Sequence, residues 1–69
     1  MTTASAPTLS EYFILTAYPE GPFHGFDAAA ARAAEIVAAD GSPKKVVLIE
    51  RVCTGAWCGE VNAAGVVRY

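Results

Sequence analysis

The side chains best equipped for chemistry in this 69-residue chain are Cys53, Cys58 and His24. Two thiols and an imidazole are the ingredients of a zinc site, a redox pair or a nucleophile–base dyad. Their spacing argues against each. The cysteines stand as C-x4-C, whereas thioredoxin-like exchange uses two intervening residues. Structural zinc takes four ligands and His24 is the sole histidine, so Cys53, Cys58, His24 and one carboxylate are the most the chain could assemble. His24 lies in PFHGF with Asp27 close by, but no activated Ser or Cys stands beside it as a nucleophile. Gly21 and Gly25 precede a helix start, a place where phosphate can bind, yet their spacing is neither a Walker nor a dinucleotide pattern. Asp27 also puts a carboxylate at that positive end. The reading is therefore no enzyme, no cofactor and no metal. The cysteines become two small thiols flanking a turn at Thr54-Gly55, and a disulfide across it is disfavoured in a reducing cytosol. Trp57, in TGAWCGE, is either a lid on the core or an exposed anchor for a partner.

The element that must position these residues is a helix over Phe26–Gly41, FDAAAARAAEIVAADG. Eight alanines between Ala28 and Ala39 favour it, because alanine loses least on entering a helix. Asp27 is expected as N-cap, and Gly41 as a left-handed C-cap with Pro43 barring continuation. Ala29, Ala30, Ala33, Ile36 and Val37 form one apolar stripe, with Arg32 and Glu35 opposite it. A stripe of alanines lies close to its partner but buries little area, so the partner must bring the larger side chains.

Strands are expected on both sides of the helix. EYFILTAY at 11–18 is rich in aromatic and β-branched residues, and KKVVLIERVC at 44–53 has a doubly apolar centre. Residues 57–61 and 66–69 give two shorter strands around the Asn62–Gly65 turn. PEGPFHG at 19–25 reads as a loop. The expected architecture is α+β, ordered β-α-β-β with a further short strand, as a single small sheet with one amphipathic helix on one face. Residues 1–9 read as a flexible tail and 10–69 as one domain.

Composition excludes several functions. Net charge is −2, and Lys44-Lys45 is the only basic cluster, which argues against nucleic-acid binding through a basic face. No apolar run approaches a membrane span, and the N-terminus lacks a secretory signal, so a cytoplasmic location is the default expectation. The apolar fraction is 54%, an excess that must enter a core, an oligomer interface or a binding surface.

One helix covers one face of a sheet. With Phe13, Leu15, Val46 and Leu48 assigned to the helix side, the open face shows Tyr12, Ile14, Thr16, Tyr18, Val47, Ile49 and Arg51. Tyrosines, β-branched residues and an arginine make an interface-like mixture. The expected partner-binding set is Tyr12, Ile14, Tyr18, Phe23, His24, Val47, Ile49, Arg51 and Trp57, with a homodimer through Ile14 and Ile49.

YFILTAYPEGPF at 12–23, the alanine-rich helix and KKVVLIERV at 44–52 together resemble small βαββ accessory proteins of tailed bacteriophages and prophages. That resemblance covers most of the chain and implies a protein that works by binding another protein. The function expected is thus a non-enzymatic protein–protein interaction. The alternatives are a small inhibitor or regulator of a host enzyme or of transcription or defence machinery, acting through the 21–26 loop and Trp57, and a small metal- or thiol-dependent protein.

Overall fold

The computed structural model describes residues 11–69; the tail expected over 1–9 lies outside them. The elements run β1 (Glu11–Leu15), β2 (Glu20–His24), α1 (Phe26–Asp40), β3 (Val46–Arg51), β4 (Trp57–Asn62) and β5 (Gly65–Arg68). They build one antiparallel sheet in the order β2-β1-β3-β4-β5, with α1 packed on one face. The α+β plan is as expected, with one strand more than expected before the helix.

That strand, β2, falls in the stretch read as a loop. Proline cannot donate to a ladder, so a strand containing Pro22 is confined to a sheet edge, and β2 is an edge strand. Its register with β1 slips between Tyr12 and Ile14, which takes up the irregular EGPFH backbone as a bulge. Gly21 is required there: at φ 140° a Cβ would come 2.5 Å from Phe13 Cδ1 and 2.9 Å from the Tyr12 carbonyl oxygen. β1 in turn is shorter than expected. Thr16 Oγ1 accepts from the Tyr18 amide at 3.2 Å and donates to the Tyr18 carbonyl at 2.7 Å, a local turn that ends the strand and reverses the chain.

Asp27 does not cap the helix. Gly25 occupies the N-cap position, and Asp27 sits inside the first turn without a side-chain capping bond. The C-terminal expectation is met: Gly41 is left-handed and its amide donates to the Val37 carbonyl at 3.2 Å. The buried helix residues are Phe26, Ala29, Ala30, Ala33 and Val37, with Ile36 partly buried beside them.

The sheet residues beneath that stripe are Tyr12, Ile14, Val47, Ile49 and Val61. They bring the volume the alanines lack, and Ile14, Val47 and Ile49 have no exposure at all. Phe26 plugs one end of this core. Its ring meets Tyr12 edge-on, with centroids 5.8 Å apart and planes at 89°. Beneath it lies Gly59, where a Cβ would stand 2.7 Å from Phe26 Cζ and 2.6 Å from the Val67 carbonyl oxygen. The Arg68 guanidinium lies 4.3 Å from the ring centroid. The missing side chain at Gly59 is thus the seat of the aromatic plug.

This packing reverses the expected faces. Tyr12, Ile14, Val47 and Ile49, assigned to the open face, lie under the helix; Phe13, Leu15, Val46 and Leu48 lie on the open side. The physical reason is that β1 and β3 are apolar on both faces, so hydrophobicity does not choose between them, and a one-residue slip exchanges the sets. β4 does choose. Gly59 and Val61 alternate with Glu60 and Asn62, and the register Val47↔Val61 and Leu48↔Glu60 carries that choice to β3 and, through Ile14↔Ile49, to β1.

A polar clamp fixes the helix to the edge of the sheet. Arg32 donates from Nε to Glu20 Oε1 at 2.9 Å and from Nη2 to Oε2 at 3.1 Å, a two-pronged contact, while Nη1 reaches Glu35 at 3.1 Å. The Arg32 hydrogen bonds hold the Glu20 carboxyl below its ordinary range.

Candidate functional site

The sheet face away from α1 is left uncovered among the described residues. Its residues fall into rows across the strands. Phe13 of β1, Glu50 of β3 and Trp57 of β4 stand side by side, and next to them run Leu15, Leu48, Glu60 and Val67 across four strands. Glu11 and His24 make a third row at one end, and Val46 with Asn62 a fourth at the other. Directly opposed side chains on one face lie about 5 Å apart at Cβ, so each row is a contiguous strip. Trp57 is 59% exposed, Tyr69 62%, Val46 and Val67 46% each; Phe13, Leu15 and Leu48 are half-buried against one another. Together these side chains make an exposed, partly apolar patch on the sheet.

Carboxylates punctuate this surface. Glu60 accepts from the Tyr69 hydroxyl at 2.7 Å and from Asn62 Nδ2 at 3.1 Å, which fixes both its oxygens. The same carboxylate raises the ionisation of the Tyr69 phenol above its ordinary range, by holding its proton in a hydrogen bond. Glu50 stands between two aromatic side chains and, among the described residues, has no cation within reach. Glu11 faces His24 with Nδ1 3.9 Å from Oε2.

The expected partner-binding residues are scattered by this arrangement. Tyr12, Ile14, Val47 and Ile49 are core and cannot meet a partner. Arg51 is on the helix side, with Nη2 3.5 Å from the Tyr12 hydroxyl and 5.8 Å from Tyr12's ring centroid to its Cζ. Its Nε is buried without an acceptor. Phe23 packs on the margin of the core, and Tyr18 is exposed in the β1–β2 turn. Trp57 and His24 do lie on the open face. Missing from the expected set were Phe13, Leu15, Val46, Leu48, Glu50, Glu60, Val67 and Tyr69. The polar alternation of W-C-G-E-V-N is the signal for this face: Glu60 and Asn62 face water, and the register places Leu48, Val46 and Val67 beside them.

The chemical trio is not assembled. His24 lies on β2 and Cys58 on β4, with β1 and β3 between them, three strand spacings or roughly 14 Å. Cys58 is the extra residue where β4 slips against β3, and it packs against the core; Cys53 is exposed in the turn beyond β3. Both thiols are free. No group of three or more His, Cys, Asp or Glu side chains is gathered as for a metal among the described residues. No helix among them is long and apolar enough to cross a membrane.

A groove of about 500 Å³ runs between the C-terminal half of α1 and the β4–β5 hairpin, lined chiefly by Ala34, Val37, Ala38, Pro43, Val61 and Val66. No titratable side chain lines it, so it offers shape without acid–base chemistry.

Comparison with protein-family models, with curated proteins and with solved structures gives no match for this chain.

Proposed function

We propose that this chain is a non-enzymatic protein-interaction module that engages its partner through the uncovered face of the sheet. The observation that supports this reading is the set of Phe13, Leu15, Val46, Leu48, Trp57 and Val67, spread over four strands with Glu50 and Glu60 between them, on the face that the single helix leaves uncovered. Aromatic anchors ringed by polar groups are the composition of binding surfaces. The regulator or inhibitor reading converges on the same place, since His24 and Trp57 belong to this face. The two free thiols fit a reducing, cytoplasmic setting.

Self-association has one specific support, and it is elsewhere. β5 is an edge strand with an open ladder, and pairing it with β5 of a second copy extends the sheet into a homodimer. A face-to-face homodimer is disfavoured, because it brings together two faces whose strand residues carry carboxylates and neither lysine nor arginine.

The test is site-specific photo-crosslinking in a lysate of the source cells, with benzoylphenylalanine at Leu48 or Val67 on the open face and at Ala28 or Ala31 on the exposed side of α1. Discrete adducts from the open-face positions alone are expected, and an adduct of twice the chain mass identifies a second copy. Adducts from the helix positions alone refute the assignment.

A further inference from the structure

The charges of this protein are divided between the two sides of its sheet. Every guanidinium among the described residues is on the helix side: Arg32 on Glu20, Arg51 beside Tyr12, Arg68 over Phe26. The open face carries carboxylates, and its strand residues include neither lysine nor arginine. Glu50 is flanked by Phe13 on one side and Trp57 on the other, and Glu60 by Leu48 and Val67 with Tyr69 hydrogen-bonded to it. A bare apolar face with this pattern rejects an acidic or purely apolar occupant, which would strand its carboxylates, and selects a cationic one. The flanking rings select further. Guanidinium is planar, forks onto a carboxylate with two donors and stacks on an aromatic face, whereas ammonium is a compact, strongly hydrated point charge.

We propose that the occupant of the open face is an extended protein segment carrying alternate arginines, one guanidinium forking onto Glu50 between Phe13 and Trp57 and the next onto Glu60 beside Tyr69. This rests on the interaction-module reading and names the partner's chemistry. The spacing agrees. Glu50 and Glu60 are diagonal neighbours across β3 and β4, about 7–8 Å apart, and side chains two residues apart in an extended chain are separated by about 6.7 Å. The intervening residue of such a segment faces away, and the stems of the arginines lie along Leu48 and Val67.

The probe is a fluorescein-labelled heptapeptide, GRTRVRG, compared with its lysine counterpart GKTKVKG by anisotropy, with Trp57, the one tryptophan of the chain, as an intrinsic reporter. The arginine peptide is expected to bind, to shift Trp57 emission, and to weaken as salt rises. Glu50→Gln is expected to cost about tenfold in affinity, the worth of one charge-assisted pair, and Glu60→Gln a similar factor. Glu35→Gln, the same charge change on the helix, leaves binding within about twofold. The lysine peptide binds about two- to fivefold more weakly. Equal affinity for the two peptides, unchanged affinity in both open-face variants, or no binding at millimolar peptide overturns the proposal. If the peptide fails while crosslinks from Leu48 and Val67 persist, the arginine occupant is wrong and the module reading stands. If both fail, the module reading falls as well.

Discussion

Placing one methyl group under Phe26 tests the packing from which the faces are read. Gly59 has an ordinary negative-φ or extended backbone, so Gly59→Ala adds steric volume without conformational strain. The added carbon would stand 2.6 Å from the Val67 carbonyl oxygen and 2.7 Å and 2.9 Å from Phe26 Cζ and Cε2. The ring can tilt only by disturbing its contacts with Tyr12 and Arg68, and the carbonyl belongs to the neighbouring strand. Overpacking of this kind costs about 1–3 kcal/mol. A domain of this size has about 3–10 kcal/mol of stability in total, so the change consumes a large fraction of it. With about 2 kcal/mol lost, the melting temperature should fall by about 8–16 °C. The assay is thermal unfolding followed by far-ultraviolet circular dichroism and by Trp57 fluorescence. A double-mutant cycle with Phe26→Leu adds the decisive arm: removing the outer ring carbons relieves part of the clash, so the two changes together should cost less than their sum by about 0.5–3 kcal/mol. Strict additivity, or a Gly59→Ala protein melting within about 2 °C of the parent, would refute the seating of Phe26 on β4.

Three further outcomes follow from the same geometry. Ile14→Glu should abolish cooperative unfolding, because an unpaired carboxylate in a fully buried site costs several kcal/mol, whereas Leu48→Glu on the other face should melt cooperatively; circular dichroism of the pair decides which face the helix covers. The depressed Glu20 carboxyl contributes stability that is present above about pH 4.5 and is lost as pH falls through its lower folded value, so a melting-temperature profile from pH 6 to pH 2 should decline less steeply in Arg32→Gln than in the parent. Cys53 should react with a water-soluble disulfide reagent well before Cys58, and Cys53→Ala should change stability by no more than about 0.5 kcal/mol; simultaneous labelling of both thiols argues that the β4 bulge does not hold Cys58 against the core.

The helix, its buried stripe and its glycine stop were legible in sequence because alanine propensity, 3.6-residue periodicity and Gly41 agree with one another. The strand at β2 was not, because Gly21 and Pro22 belong to a bulged edge strand whose ladder is half absent, and local propensity reads such a segment as a turn. The start of the helix misled for a related reason: Asp27 is a good cap by residue type, but β2 runs directly into α1 and leaves Gly25 as the only residue free to change direction. That one face of the sheet stays uncovered was legible, yet Tyr12, Ile14, Val47 and Ile49 were placed on it although they lie beneath the helix, whereas Trp57 and His24 do belong to it. Tyr12, Ile14, Val47 and Ile49 are as suited to an interface as to a core, and the deciding residues, Glu60 and Asn62, lie on a different strand. Face assignment is a property of the register between strands, which no single strand contains.

The two borders of the sheet are chemically unequal, and this sets how far strand-to-strand joining can proceed. β2 presents a proline and a bulge to solvent, while β5 presents a regular ladder from Gly65 to Arg68. Two copies meeting at β5 would make a ten-stranded sheet bounded by β2 at both ends, where the proline and the bulge would hinder pairing with a third. Growth by strand pairing would then stop at two. An apolar face and an open ladder are the ingredients of fibrillar stacking, and a blocked border would limit strand pairing of this chain to a finite assembly.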